Sequence, residues 1–403
     1  MVLNFCCRSS SCSFLLFCAL SGASAWLAWG QGLTWVALFA LPCWAAAAHS
    51  RRRLAAVAWV YYAVAMIELI ALPQIFFQTG PITGLALGLA SWLSWSAVLA
   101  AACSIGWHSS LVVRILSVPL AALLINLPPI GWFSIVSPWT ATGLWFPGHG
   151  WIGLALALLT CAAMACVLIW PHRLKSWSWL VIAGSYLAPV HARDFDLANS
   201  EITVHAVQTR WGEVRLDPVS QHRRVSDFTQ LEKTIPKEAR LVIWPEMAIG
   251  QWSARTQYWL SDQSSQGPAE GQTWLVGAAV ERTGQPHADW TNGFLLWESN
   301  KSPIFIDGRI PMPIGMWRPG AFSFNPWANS VVTIDRHKVG VSICYEDLLP
   351  WTAWQLHFQS VDRVVSISSM WFAQDMNLNR NLANSAQAWA RLFGVPYARS
   401  VNF

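Results

Sequence analysis

Residues 340–347 read Gly340-Val-Ser-Ile-Cys344-Tyr345-Glu346-Asp347, an apolar run that stops on a thiol and two carboxylates. Short apolar runs bounded by polar residues are the mark of a buried strand. A second run, Leu241-Val-Ile-Trp-Pro-Glu246, has the same form: Pro245 stops the strand and a carboxylate follows at once. Ile202–Val207, Thr273–Ala279, Gly293–Trp297, Val331–Ile334, Val339–Ile343 and Val364–Ile367 also read as strands. Gln221–Ile235 and Asn379–Phe393 carry apolar residues at helical spacing. Strands alternating with helices predict a layered α/β domain, and about 210 residues are enough to bury a full core.

Working back from this region, the chain changes character near residue 191. The whole sequence is 54% hydrophobic and only 12% charged, with a net charge of +5. Soluble domains carry roughly 25% charged residues, so an entirely water-soluble protein and a disordered one are both disfavoured. Residues 1–190 hold seven basic groups (Arg8, Arg51, Arg52, Arg53, Arg114, Arg173, Lys175) and a single acid, Glu68. The remainder is nearly neutral, with 19 basic and 20 acidic groups. Domains 1–191 and 192–403 are therefore expected, one suited to lipid and one to water. A nucleic-acid surface is not indicated, because the basic groups sit between apolar segments instead of forming a patch.

A helix crosses the hydrocarbon in about 20 apolar residues. Seven stretches are predicted to do so: 11–29, 32–48, 54–76, 82–105, 110–128, 151–170 and 176–191. The first also has the form of a signal peptide, with Arg8 ahead of it and Ala23-Ser24-Ala25 as a cleavage-like site. Arg8, Arg51–Arg53 and Arg173 with Lys175 all fall inside if the N-terminus is cytoplasmic. Seven crossings then deliver residues 192–403 to the outer, periplasmic side of a bacterial inner membrane. Glu68 and Arg114 fall within spans, either as a polar relay or headgroup contact, or paired with each other or reaching an interface. Trp132, Trp139 and Trp145 in the outer loop fit an aromatic belt or a lipid-facing entrance.

Eight of nine cysteines lie in the apolar part, where Cys behaves as a small hydrophobe. Cys344 stands alone in the polar part, so it makes no disulfide within that domain, and no Cys/His spacing suggests zinc. It is either an inert buried residue or one kept for its chemistry. A thiol attacks an amide or acyl carbonyl when a base takes its proton or a cation holds it as thiolate. Glu246 at its strand tip is the candidate base. Arg309, in the turn-rich Asp307-Gly-Arg-Ile-Pro-Met-Pro-Ile-Gly315, is the candidate cation, with Lys301 farther back. Separately, a strand-end Glu is most often a surface residue and a lone Cys most often core. The helix 379–393, with Arg380, Asn384, Gln387 and Arg391, reads as a site-lining element or, more simply, as an amphipathic surface helix.

In combination, Trp-Pro-Glu246, Pro313-Ile-Gly, Ile343-Cys344-Tyr345-Glu346 and Ser368-Ser369-Met370-Trp371-Phe372 resemble the carbon–nitrogen hydrolase (nitrilase) superfamily. The resemblance extends to its membrane-bound branches, the apolipoprotein N-acyltransferases and, through Arg309-Ile-Pro-Met-Pro-Ile-Gly-Met-Trp317, the TraB family of conjugal transfer proteins. It implies a four-layer αββα fold with a Glu-Lys-Cys site. Glu246 would be the general base and Cys344 the nucleophile that forms a thioester. Backbone N–H groups after Cys344 and the family's lysine would hold the oxyanion. Tyr345, Glu346 and Trp371 would support the site. No metal or other cofactor is implied. The implied partners are a membrane lipid or an acyl or amide substrate at the outer leaflet, together with conjugation-apparatus proteins. This sequence departs from the pattern at the lysine, where Asp307 or Gly308 stands, leaving Arg309 as the replacement cation. Met316 takes the place of the glutamate that follows Pro-Phe-Gly in the N-acyltransferases, and the chain stops at Phe403, short of that branch's last strands and returning membrane helix. A thiol enzyme and a catalytically inactive assembly module are therefore both expected readings, and complete lipoprotein N-acyltransferase function is the weaker third.

Overall fold

The computed structural model describes residues 10–170, 202–213, 215, 217–281, 290–313, 316 and 322–403. They fall into two compact units. The first comprises Met1–Leu197 with two later segments, Leu348–Trp351 and Met376–Gly394; the second comprises Ala198–Asp347, Thr352–Asp375 and Val395–Phe403. A single cut in the sequence does not capture those two later segments.

The first unit is helical. Among the described residues, three of its helices are long and apolar enough to cross a membrane: Cys12–Gly30, Pro81–Gly106 and Gly150–Ile169. They match the first, fourth and sixth predicted spans. Thr34–Ala47 and Leu111–Leu124 are apolar but shorter. The third stretch is broken, running as a helix over Arg51–Ala65, a 3-10 turn over Ile67–Ile70 and a short helix over Leu72–Phe77. Span 176–191 lies outside the described residues. Apolar surroundings leave buried indole N–H groups dependent on protein acceptors. Trp29 accordingly donates to the Tyr61 hydroxyl at 2.8 Å, and Trp44 to the Ser21 hydroxyl at 2.8 Å.

The helix Asn377–Leu392 clusters with this unit and is amphipathic, with Asn381, Leu382, Ser385, Ala386, Ala388 and Trp389 buried. Its N-terminus is met by Glu68, which accepts from the backbone N–H of Asn377 at 2.8 Å and of Leu378 at 3.0 Å, and from Asn377 Nδ2 at 2.8 Å. The helix's Asn381 donates to the Trp29 carbonyl at 3.0 Å. Glu68 thus serves as a helix cap, its charge facing the positive end of the helix dipole. Trp139 and Trp145 are buried, and Trp145 donates to the Trp35 carbonyl at 2.8 Å, so these two form packing and not an outward belt.

The second unit is built on two five-stranded sheets. One runs β1 (Val204–Ala206), β3 (Leu241–Ile243), β4 (Thr273–Glu281), β5 (Trp290–Glu298), β6 (Ile304–Asp307) in spatial order. The other runs β2 (Gln208–Thr209), β10 (Tyr397–Asn402), β9 (Arg363–Ser369), β8 (His337–Ile343), β7 (Val331–Ile334). Each has parallel strands at one end and antiparallel strands at the other. All seven predicted strands are present; β2, β6 and β10 are additional. Leu241, Ile243, Leu275 and Phe294 of the first sheet pack against Val339, Val341, Val365 and Ile367 of the second, so the sheets lie face to face. Strands covered on both faces read as continuous apolar runs, as these do. The outer face of the first sheet, through Val242, Trp244 and Trp274, is covered by Val225 and Phe228 of the helix Pro218–Glu232 and by Leu260 of Ala254–Asp262. Leu356, in the helix Pro350–Phe358, lies beside Gly340 on the outer face of the second sheet. The layering is helix, sheet, sheet, helix.

Candidate active site

Parallel strands gather their functional groups at the C-terminal edge. Glu246 follows β3, Cys344 follows β8, and Ser369 ends β9. The turn after β3 lies against β4 because residue 277 is glycine: a Cβ there would stand 2.2 Å from the Pro245 oxygen and 2.5 Å from Glu246 Cα. Met247 and Cys344 both adopt left-handed backbone, with φ of 56° and 49°. Such conformations cost energy for residues with a Cβ and collect at functional sites.

The structure brings Glu246 and Cys344 together: the thiol stands within interaction range of the carboxylate. Glu246 is only 4% exposed, whereas Cys344 is half-buried and packs against the core between the two sheets. The carboxylate is held at both oxygens. Asn292 Nδ2 donates to Oε1 at 2.7 Å, and the Ser369 backbone N–H donates to Oε2 at 2.9 Å. Burial pushes the Glu246 carboxyl above the usual carboxylate range, partly offset by these hydrogen bonds. Burial also pushes the Cys344 thiol well above its ordinary value, and the neighbouring Glu246 charge adds to the effect. Both shifts favour the protonated form, so the thiol keeps its proton and the carboxyl binds a proton more strongly than usual, as a base that accepts one during attack requires.

Arg309 does not supply the cation at the sulfur, and the expectation that it does is corrected here. Its side chain is 1% exposed and fully engaged elsewhere. Nε and Nη2 donate to Glu346 Oε2 at 3.0 and 2.6 Å, Nη1 donates to the Thr352 carbonyl at 3.0 Å, and Nη2 also reaches the Val341 carbonyl at 3.4 Å. The physical reason is that a buried guanidinium needs a carboxylate and carbonyls for all its donors, and Glu346 is the nearest such group. Lys301 is exposed and pairs with Glu298 on the surface. At position 308 a Cβ would lie 2.8 Å from the Asn292 carbonyl oxygen and 3.0 Å from Ile343, so no side chain fits there without a shift.

Glu346 is a buried staple. Its Oε1 accepts from the backbone N–H of Arg309 at 2.7 Å and of Ile310 at 3.0 Å, and Oε2 accepts from Ile343 N at 3.3 Å besides the guanidinium. It fixes the end of β8 to the loop that follows β6. Tyr345 is buried, which pushes its phenol up. Trp371 lies in the turn after β9 with its ring against Phe372, centroids 5.5 Å apart. The sequence reading missed Asn292 and quoted Asp347 without giving it a role. Asn292 sits inside a strand with no motif around it. Asp347, beneath the site, accepts from the Ser366 hydroxyl and is pushed up to about 7 by burial. Among the described residues, no group of three or more His, Cys, Asp or Glu is placed to hold a metal.

No family model matches the chain. A probable conjugal transfer protein TraB of Sinorhizobium fredii is 26% identical over 326 residues, 78% of this chain and 80% of that protein. Conjugal transfer protein TraB of Agrobacterium fabrum is 27% identical over 310 residues, 74% of this chain and 68% of that protein. Among solved structures, a carbon–nitrogen hydrolase of Helicobacter pylori is 12% identical, covers 50% of this chain and 73% of its own, and superposes with a TM-score of 0.39. A CN-hydrolase superfamily protein of Xanthomonas campestris is 16% identical, covers 49% of this chain and 75% of its own, with a TM-score of 0.35. Over about three quarters of its length this chain is similar to the conjugal transfer proteins named TraB, and its second unit is a layered α/β domain built on two five-stranded sheets.

Proposed function

We propose that this chain is a membrane protein associated with plasmid conjugal transfer whose α/β unit performs thiol-dependent chemistry on an amide or acyl group. The observation that carries the reading is the placement of the sole thiol of that unit within interaction range of a buried, doubly anchored carboxylate. In the first step Glu246 takes the Cys344 proton as sulfur attacks the carbonyl carbon. The proton then passes to the departing group, leaving a thioester on Cys344. In the second step Glu246 takes a proton from water or an acceptor amine, which attacks the thioester and restores the thiol. Backbone N–H groups after Cys344 are the oxyanion donors in this scheme. Multi-pass insertion in the inner membrane, with the N-terminus cytoplasmic and the α/β unit periplasmic, is part of the proposal. It is supported by the three long apolar helices and by the placement of Arg8 and Arg51–Arg53. The substrate is then an amide, lipid or acyl group at the outer leaflet.

A thiol-directed activity probe tests the reading. Labelling of the peptide containing residue 344 should vanish in Cys344→Ala and weaken in Glu246→Gln. Equal labelling of that peptide in wild type and Glu246→Gln sinks it. One observation favours a second reading, in which the unit is an inactive binding or assembly module: Arg309, the residue nearest to replacing the family's lysine, is consumed by Glu346. On that reading both substitutions leave conjugal transfer intact.

A further inference from the structure

Arg114 lies in the helix Leu111–Leu124 and is 6% exposed. Its Nε is buried, and among the described residues no group accepts from it. Glu68, the only acid of residues 1–190, is taken up at the N-terminus of the helix Asn377–Leu392 and so is not its counterion. A buried guanidinium without a counterion is costly, and an orphaned buried donor calls for a specific cause. Other cations stand close by. Trp107 Nε1 donates to the Ala48 carbonyl at 3.1 Å, and Ser117 Oγ donates to the Gly106 carbonyl at 2.6 Å, so the chain around residue 48 meets the start of the Arg114 helix. His49 is there within interaction range of both Arg114 and Arg53; burial first, and then these two charges, hold its imidazole below the ordinary value. Helical side chains lean toward the N-terminus of their own helix, so Arg114 leans back to that end. The first-turn N–H groups face the same way, and Ser110 supplies no side-chain cap. From this end an apolar stripe runs along the helix: Val113, Leu116, Leu120 and Leu124 are exposed and recur at helical spacing.

Resting on the membrane insertion proposed above, we propose that Arg114, Arg53 and His49 form a site for the phosphate of an anionic phospholipid whose acyl chains lie along Val113, Leu116, Leu120 and Leu124. Phosphate oxygens accept from a guanidinium and bring the negative charge that residues 1–190 do not supply. The stripe decides between the two sources of that chemistry. Free phosphate meets the charges alone, whereas a lipid meets the charges and the apolar face together. The site lies within the helical unit and involves neither Cys344 nor Glu246.

The test uses the full chain in detergent, titrated with dioleoyl phosphatidylglycerol or dioleoyl phosphatidylcholine, with bound lipid counted by native mass spectrometry. Wild type should bind phosphatidylglycerol about tenfold more tightly, the scale of one hydrogen bond to a charged group. Arg114→Gln should lose that preference, while Arg52→Gln, which removes an exposed arginine of the same end, should keep it. Inorganic phosphate at millimolar concentration should not displace the lipid. No preference in wild type, a preference that survives Arg114→Gln, an equal loss in Arg52→Gln, or displacement by inorganic phosphate overturns the proposal. If Arg114→Gln does not fold, Arg114→Lys decides. It keeps the charge but not the planar fork, so phosphatidylglycerol affinity should fall several-fold with phosphatidylcholine affinity unchanged, and an unchanged affinity for both overturns the proposal equally. Release of the chain from membranes by alkaline carbonate would instead remove the membrane reading itself. A chain that stays embedded and shows no lipid preference removes only this inference.

Discussion

At the residue scale, Arg309 and Glu346 show how burial decides a role. Both are 1% exposed, and removing one partner leaves the other charged and unpaired. Glu346→Gln is expected to destabilise the protein by about 3–5 kcal/mol, read as a lowered denaturation midpoint, whereas replacing both residues with apolar ones of similar volume should cost much less. Asp347 gives a pH-dependent prediction. Its folded value of about 7 stands above the ordinary 3.8, so folding takes up a proton between these two values. Stability from this group is full below pH 3.8, is lost as pH rises to about 7 and then levels off. In Asp347→Asn that slope should disappear from a plot of Tm against pH; an unchanged slope means the carboxyl is ionised when folded. Glu246 and Cys344 were legible as residues because each ends an apolar run. Asn292 was not, because a polar residue inside a strand gives no sign of which carboxylate it will face.

At the element scale, the tip of β3 and the start of the helix Asn377–Leu392 carry the predictions. Gly277→Ala forces the turn bearing Glu246 off β4 and should cut Glu246-dependent labelling of Cys344 by about tenfold or more, because reacting groups tolerate little misplacement. Wild-type labelling in that variant would mean the turn yields without moving the carboxylate. Glu68→Ala removes three hydrogen bonds at a helix N-terminus and should cost about 1–2 kcal/mol, seen as a lower Tm. The strands were readable because burial on both faces demands continuous apolar runs. The role of Asn377–Leu392 was not: helical spacing shows that one face is apolar but not which unit that face will meet.

At the scale of the whole molecule, the proposed topology with an odd number of crossings would place residues 192–403 outside. An alkaline phosphatase fusion after Phe403 should therefore be active and a green fluorescent protein fusion dark; the reverse pattern would require an even count. Composition alone separates the chain into an apolar part and a water-compatible one, since charge is too costly to scatter through lipid-facing helices. Sequence by itself also determined the strands, the lone thiol and the carboxylate that could serve it, because these follow from local pattern and count. Tertiary structure alone decided that Met376–Gly394 clusters with the first unit, that Arg309 is consumed by Glu346, and that Asn292 holds Glu246. The reason is the same in each case. Which donor meets which acceptor depends on distances between residues 37 to 46 positions apart or more, and those are fixed only when the sheets and helices close on one another.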